Sequence, residues 1–179
     1  MKNMSTLIKY EPIENFSWAE GKKCAITIGW HVDGEAGPIG SDIRNLDHLA
    51  SLSLGAYGVS TSLPRILDLH NDLQIPGTFF IPGYVAEKHP DLVKKIMDQG
   101  HEIAHHGYLH KNVFLLNEEE ELNEFEKGEE SLKKVTGKQT LGWSAPGWGV
   151  RSNTLQILVK MGKIYDSSLM EFDRPYFVN

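Results

Sequence analysis

Short β-branched or apolar runs alternate along this chain with longer segments whose apolar residues return every three or four positions, the mixed period of an α/β protein. Lys23 to Trp30 (KCAITIGW) predicts a buried strand with Cys24 as a mid-strand core residue. Gly77 to Ile81 (GTFFI), His101 to His105 (HEIAH) and Thr140 to Ser144 predict three more strands, and Lys163 to Asp166 begins a fifth. Ser62 to Leu73 carries Leu63, Ile66, Leu67 and Leu69 at helical spacing, with Pro64 tolerated in the first turn. Pro90 to Gln99 has a stripe of Leu92, Val93, Ile96 and Met97, and Gly100 stops it. Asn117, with Glu120 three residues on, opens the longest helix in a capping-box pattern. Its acidic start, Glu118 to Glu121, and basic end, Lys133, Lys134 and Lys138, suit the helix dipole, and Gly137 closes it. Ser152 to Met161 is a further helix. The Gly-, Asp- and Ser-rich stretch from Asp33 to Gly58 reads as a long functional loop. Alternating strand and helix predicts an α/β fold with a largely parallel sheet or barrel, whose chemistry lies at the carboxyl ends of the strands.

Composition narrows the function classes. At 179 residues, with 40% hydrophobic and 23% charged residues, the chain reads as one globular domain. A formal net charge of -6 argues against a nucleic-acid surface. No run approaches the roughly 18 apolar residues of a membrane span, and Met1 to Tyr10 lacks a basic-then-apolar signal pattern. A lone cysteine, Cys24, forbids an internal disulfide and fits a reducing compartment, so a cytoplasmic location is expected.

Three polar clusters fall at predicted strand ends. In His31-Val32-Asp33-Gly34-Glu35, a period of two would set His31, Asp33 and Glu35 on one face, costly unless paired or bound to metal; Asp-Gly is also an ordinary turn pair. In His105-His106-Gly107-Tyr108-Leu109-His110, a turn through Gly107 brings His106 and His110 to one ion. A carboxylate from the first cluster, Asp33 or Glu35, would complete a two-His-one-carboxylate site open to water. Trp143 to Gly149 (WSAPGWG) places two indoles in a Gly/Pro loop, able either to wall a pocket or to plug the end of the sheet. His48, His70 and His89 read as isolated surface residues, His101 as structural, and the Glu118 to Glu130 charge run as a solvated helix face.

The segments GWHVDGE (29–35), PGTFFIPG (76–83), GHEIAHHGYLH (100–110), SAPGW (144–148) and YDSSLM (165–170) together resemble the polysaccharide deacetylase family, carbohydrate esterase family 4. The resemblance runs from about Lys22 to Tyr176 and is nearest to the cytoplasmic branch of peptidoglycan-deacetylase-like and cyclic-imide-hydrolase-like proteins. It implies a distorted parallel (β/α) barrel, here cut off after about five βα units, with residues 1–21 as an N-terminal extension and 22–179 as the family domain. It implies Asp33, His106 and His110 as ligands of one divalent metal ion, zinc first, with nickel, cobalt or iron as alternatives. It implies hydrolysis of a non-peptide C–N bond, in an N-acetylated sugar or a small cyclic amide or imide, with Trp148, Pro146 and Glu35 at the substrate. The family's base is an aspartate where this chain has His31, which can act as a base, ligate the ion or block the water. Ser144 stands where many members carry an arginine. An open sheet edge is expected to be covered by a second copy or another polypeptide. A degenerate member that binds metal without turnover is the alternative.

Overall fold

The computed structural model describes residues 9–178. The N-terminal signal reading rests largely on residues 1–8, outside that range. Two compact units divide the chain, Thr27–Ser168 and a smaller one from the two ends, Met1–Ile26 with Leu169–Asn179. Within the described residues of the smaller unit, β1 (Tyr10–Pro12) pairs antiparallel with β7 (Tyr176–Val178).

The larger unit holds a parallel five-stranded sheet of β2 (Gly29–His31), β3 (Thr78–Ile81), β4 (Glu102–His105), β5 (Gly142–Trp143) and β6 (Tyr165–Asp166), in that spatial order. The order equals the chain order, the arrangement successive βα units generate. Connecting helices are α1 (Ala36–Ser41), α2 (Leu49–Tyr57), α3 (Leu63–Leu73), α4 (Gly83–Lys88), α5 (Pro90–Asp98), α6 (Glu118–Thr136) and α7 (Ser152–Lys160). All five predicted strands are present, and so are the four predicted helices.

Register sorts the side chains by face. Trp30 pairs with Phe79 and Phe79 with Ile103, and all three join the helix-side core with Leu67, Ile96 and Leu132. Trp143 belongs to a second cluster with Phe125 and Leu158. Alternation therefore sends His31, Phe80 and Ala104 to the opposite face. Burying the fully enclosed Trp143, Phe79 and Phe125 contributes about 1.5–3 kcal/mol each.

Several sequence expectations change. The predicted Lys23–Trp30 strand shortens to Gly29–His31, because its pairing with β3 starts at Gly29 and Thr78, and Cys24 is exposed instead of core. The stretch from Asp33 to Gly58 is not one loop: it holds α1, a 3-10 segment at Ile43–Asp47 and α2, with a π-helical turn, Gly58–Ser62, leading into α3. Nothing in α2 is buried, so its sequence carries no stripe to detect. His70 is 5% exposed rather than on the surface: Trp30 Nε1–H donates to its Nε2 at 2.8 Å, and its Nδ1–H donates to the Ile75 carbonyl at 2.7 Å. The acidic run of α6 is not wholly solvated either, since Glu121, Glu124 and Glu129 are buried.

Candidate metal centre

The carboxyl ends of β2, β4 and β5 bring His31, Asp33, His106, His110 and Ser144 together. His106 Nε2 lies 3.4 Å from Asp33 Oδ1, and His110 Nε2 lies 3.4 Å from Asp33 Oδ2. His106 is fully buried, and its Nδ1 is 2.6 Å from the Ser144 carbonyl oxygen. A carbonyl only accepts, so Nδ1 carries the proton and Nε2 presents a lone pair. Asp33 Oδ1 also presents a lone pair. Both atoms are buried without a hydrogen-bond partner.

Two facing lone pairs repel unless a cation lies between them. Ligand atoms about 2.0–2.2 Å from one tetrahedral ion stand roughly 3.3–3.6 Å apart, which matches both Asp33–His separations. The imidazole–carboxylate donor set suits a borderline divalent ion, so the residues present fit the metal the family implies. Among the described residues His31, Asp33 and His106 form a three-donor group, with one ligand atom from each lying within 4.8 Å of the others. His110 reaches the cluster through the other Asp33 oxygen, and its ring centroid is 4.9 Å from that of His106.

The histidine loop is held from three sides. Gly107 (φ +72°) and His110 (φ +58°) take left-handed backbone conformations that let the chain double back. Gly83 N–H donates to the Gly107 carbonyl and Tyr84 N–H to the Tyr108 carbonyl, at 2.9 and 3.0 Å. The buried Glu124 accepts from Tyr108 N–H at 3.2 Å and from Leu109 N–H. A Cβ on Gly128 would sit 2.6 Å from the Gly107 carbonyl oxygen, so only glycine lets α6 approach this closely. His105 is structural: Nε2–H donates to the Phe125 carbonyl at 3.0 Å and Nδ1 accepts from Gly107 N–H. Burial, reinforced by Lys163, lowers its pKa to about 3 and keeps it neutral.

Electrostatics favour a bound cation. Burial alone would raise the pKa of Asp33, but His106, His110 and His31 outweigh it and hold the carboxyl below its ordinary range. Burial also lowers His110, against the pull of Asp33. His31 rests against Phe80, His106 and Trp148, with ring centroids 5.4, 4.5 and 5.5 Å away. Burial among these walls, with the neighbouring imidazoles adding to it, lowers its pKa to about 4, and its Nε2 is 3.2 Å from Ser144 Oγ.

The remaining predicted residues separate. Trp148 is 55% exposed beside His31, while Trp143 is fully buried, so one indole walls the site and the other plugs the sheet. Pro146 is buried, with its ring toward Gly107 beneath the histidine loop. The structure does not bring Glu35 to the cluster. It is 3% exposed and pairs with Lys88 Nζ at 3.1 Å and His89 Nε2 at 3.0 Å. The strand ends at His31 and Gly34 turns at φ +50° into α1, which breaks the expected alternation; His89 is likewise paired and not isolated. Ser168 was not anticipated. Its Oγ accepts from Ala145 N–H at 2.7 Å and donates to Asp166 Oδ1 at 2.6 Å, fixing the loop that carries Ser144 and Trp148. The DSS within YDSSLM was the available signal, an Asp followed by hydroxyls at a strand end. A cleft of about 260 Å³ runs beside β2 past Asp33, lined partly by Trp30, Leu54 and Leu63. A cavity of about 460 Å³ lies at the other end of the sheet, against His101 and Thr140, away from the donors.

A parallel sheet with histidine and carboxylate donors at its carboxyl ends defines an α/β protein with a candidate metal site where such folds place their chemistry. Residues 55–165 match the family model described as polysaccharide deacetylase. A peptidoglycan deacetylase of Helicobacter pylori is 35% identical over 158 residues, covering 88% of this chain and 54% of that protein. A Bacillus cereus peptidoglycan-N-acetylglucosamine deacetylase is 42% identical over 74 residues, 41% of this chain and 27% of that one. Among solved structures, a Mycobacterium smegmatis protein assigned to the polysaccharide deacetylases superposes with a TM-score of 0.86 at 38% identity, covering 92% of this chain and 58% of that one. The chain belongs to the polysaccharide deacetylase family. It spans about half the length of the Helicobacter pylori relative and about a quarter of the Bacillus cereus one.

Proposed function

We propose that this chain hydrolyses the amide of an N-acetylated sugar, using one divalent ion, zinc in the first instance, held by Asp33, His106 and His110. Asp33 Oδ1 and His106 Nε2, buried 3.4 Å apart and each without a hydrogen-bond partner, carry the reading. The resemblance to peptidoglycan deacetylases supports the sugar substrate. A bound divalent ion supplies Lewis-acid polarisation of the amide carbonyl and lowers the pKa of a water beside it.

The protein's own groups then have distinct tasks. Ser144 fixes the His106 tautomer through its carbonyl and orients His31 through its hydroxyl. His31 is neutral at neutral pH and accepts the proton of the attacking water. Trp148 offers an exposed indole on which a sugar ring stacks. The test is acetate release from N-acetylglucosamine oligomers by the zinc-loaded chain. His31→Ala is expected to lower kcat by about 10²–10⁴-fold with zinc content unchanged. An unchanged kcat would remove His31 from the reaction. No acetate release by the unaltered chain, from these oligomers or from acetylated peptidoglycan fragments, would contradict the proposed activity.

A further inference from the structure

Glu35 lies two residues beyond Asp33, almost wholly buried, and faces away from the donors. Its carboxylate meets Lys88 Nζ at 3.1 Å and His89 Nε2 at 3.0 Å, at the junction of α4 and α5. The backbone on either side is equally confined. A Cβ on Gly34 would lie 2.8 Å from Val59 and 3.1 Å from Val85, and one on Gly55 would lie 2.5 Å from the Gly34 carbonyl oxygen. The turn leaving Asp33 is therefore wedged between α2 and α4.

From Glu35 the chain enters α1, tied at its start by Gly37 N–H to the Asp33 carbonyl at 3.2 Å and by Ile39 N–H to the Glu35 carbonyl at 3.2 Å. One turn later Gly40 lies directly on the histidine loop. An added Cβ there would be 1.9 Å from the Leu109 carbonyl oxygen and 2.8 Å from the His110 backbone. The start of α4 meanwhile grips the same loop through Gly83 and Tyr84. The carboxylate of Glu35 thus closes a ring: Asp33 to α1, α1 to His110, His110 back through the loop to α4, and α4 to Glu35.

We propose that Glu35 is a positioning residue that, through Lys88 and His89, sets the approach of Asp33 and His110 to the metal. The proposal rests on the metal reading of the site. A carboxylate buried this far would be costly unless Lys88 and His89 stayed in place beside it, so losing it frees α1 to shift against the histidine loop. Because Asp33 and His110 sit at opposite ends of α1, such a shift changes their separation without touching either side chain.

The experiment uses the full chain and four proteins: unaltered, Glu35→Ala, Glu35→Gln and Glu129→Gln. Glu129 belongs to a buried ion pair near the other end of the sheet, so its variant controls for general loss of stability. Zinc affinity is read by competition with a chromophoric chelator, ligand geometry by the visible bands of the cobalt(II)-loaded chain. Glu35→Ala is expected to weaken zinc by about 10-fold or more and to shift the cobalt bands. Glu35→Gln keeps one acceptor oxygen and loses less, while Glu129→Gln lowers Tm with zinc affinity within about twofold. Glu35→Ala binding zinc within twofold of the unaltered chain overturns the proposal. If Glu35→Ala does not fold, Glu35→Gln decides: an affinity equal to that of Glu129→Gln overturns it. If the unaltered chain takes up no zinc, the metal reading itself falls, and this proposal with it.

Discussion

Near the amino ends of β5 and β6, Lys163 donates to Glu129, to the Thr140 carbonyl and to Thr140 Oγ1, while Glu129 also accepts from Thr140 N–H at 2.8 Å. Near the carboxyl ends of β2 and β4, Asp33 and His106 face each other at 3.4 Å with nothing donated between them. Both clusters place ionisable groups where water is scarce. The first satisfies every charge with a neighbour: Lys163 and Thr140 hold the Glu129 carboxyl below its ordinary range, while burial still lowers Lys163 against the pull of Glu129. The second leaves its acceptors aimed at a common point. A buried ion pair satisfied within the chain is part of the scaffold; two buried acceptors left facing one another mark a place for a cation.

Mutations at the two ends should therefore behave in opposite ways. Lys163→Ala leaves the Glu129 carboxylate buried without its cation and is expected to cost about 3–5 kcal/mol of folding stability, read by chemical denaturation. A loss below about 1 kcal/mol would show that the pair is dispensable and would weaken the contrast. Asp33→Asn removes only the contacts to His106 and His110 at a partly open edge, so the metal-free chain should lose about 1 kcal/mol or less. The same substitution should abolish tight zinc binding. A large stability loss without metal would mean that Asp33 is structural after all.

The fold was legible because strand and helix periods differ and both are strongly written here. The histidine loop was legible only in company: His-x-x-x-His alone is a weak signal, and the Asp33 cluster at the end of another strand gave it weight. What escaped was mostly polar residues placed on apolar stripes. His70 continues the series Leu63, Ile66, Leu67 by one more step of three, and it is buried with Leu63 and Leu67. Glu121, Glu124 and Glu129 share one face of α6 with Phe125, Gly128 and Leu132, and all six are buried. Charge suggested solvent at these positions, but the helical period determined where they point. Glu35 was misplaced for the converse reason: a period-two reading was carried past Gly34, where the chain had already begun to coil. The pairing of Glu35 with Lys88 and His89 spans more than fifty residues and leaves no local trace.

The central claim is that the orphaned atoms of Asp33 and His106 are ligands of one ion shared with His110. Zinc per chain, measured by mass spectrometry on protein purified without a histidine tag beside His106→Ala/His110→Ala, tests it most directly. The account predicts close to one zinc per unaltered chain and none retained by the double variant. An unaltered chain without zinc even after loading, or a double variant that keeps its zinc, would contradict it.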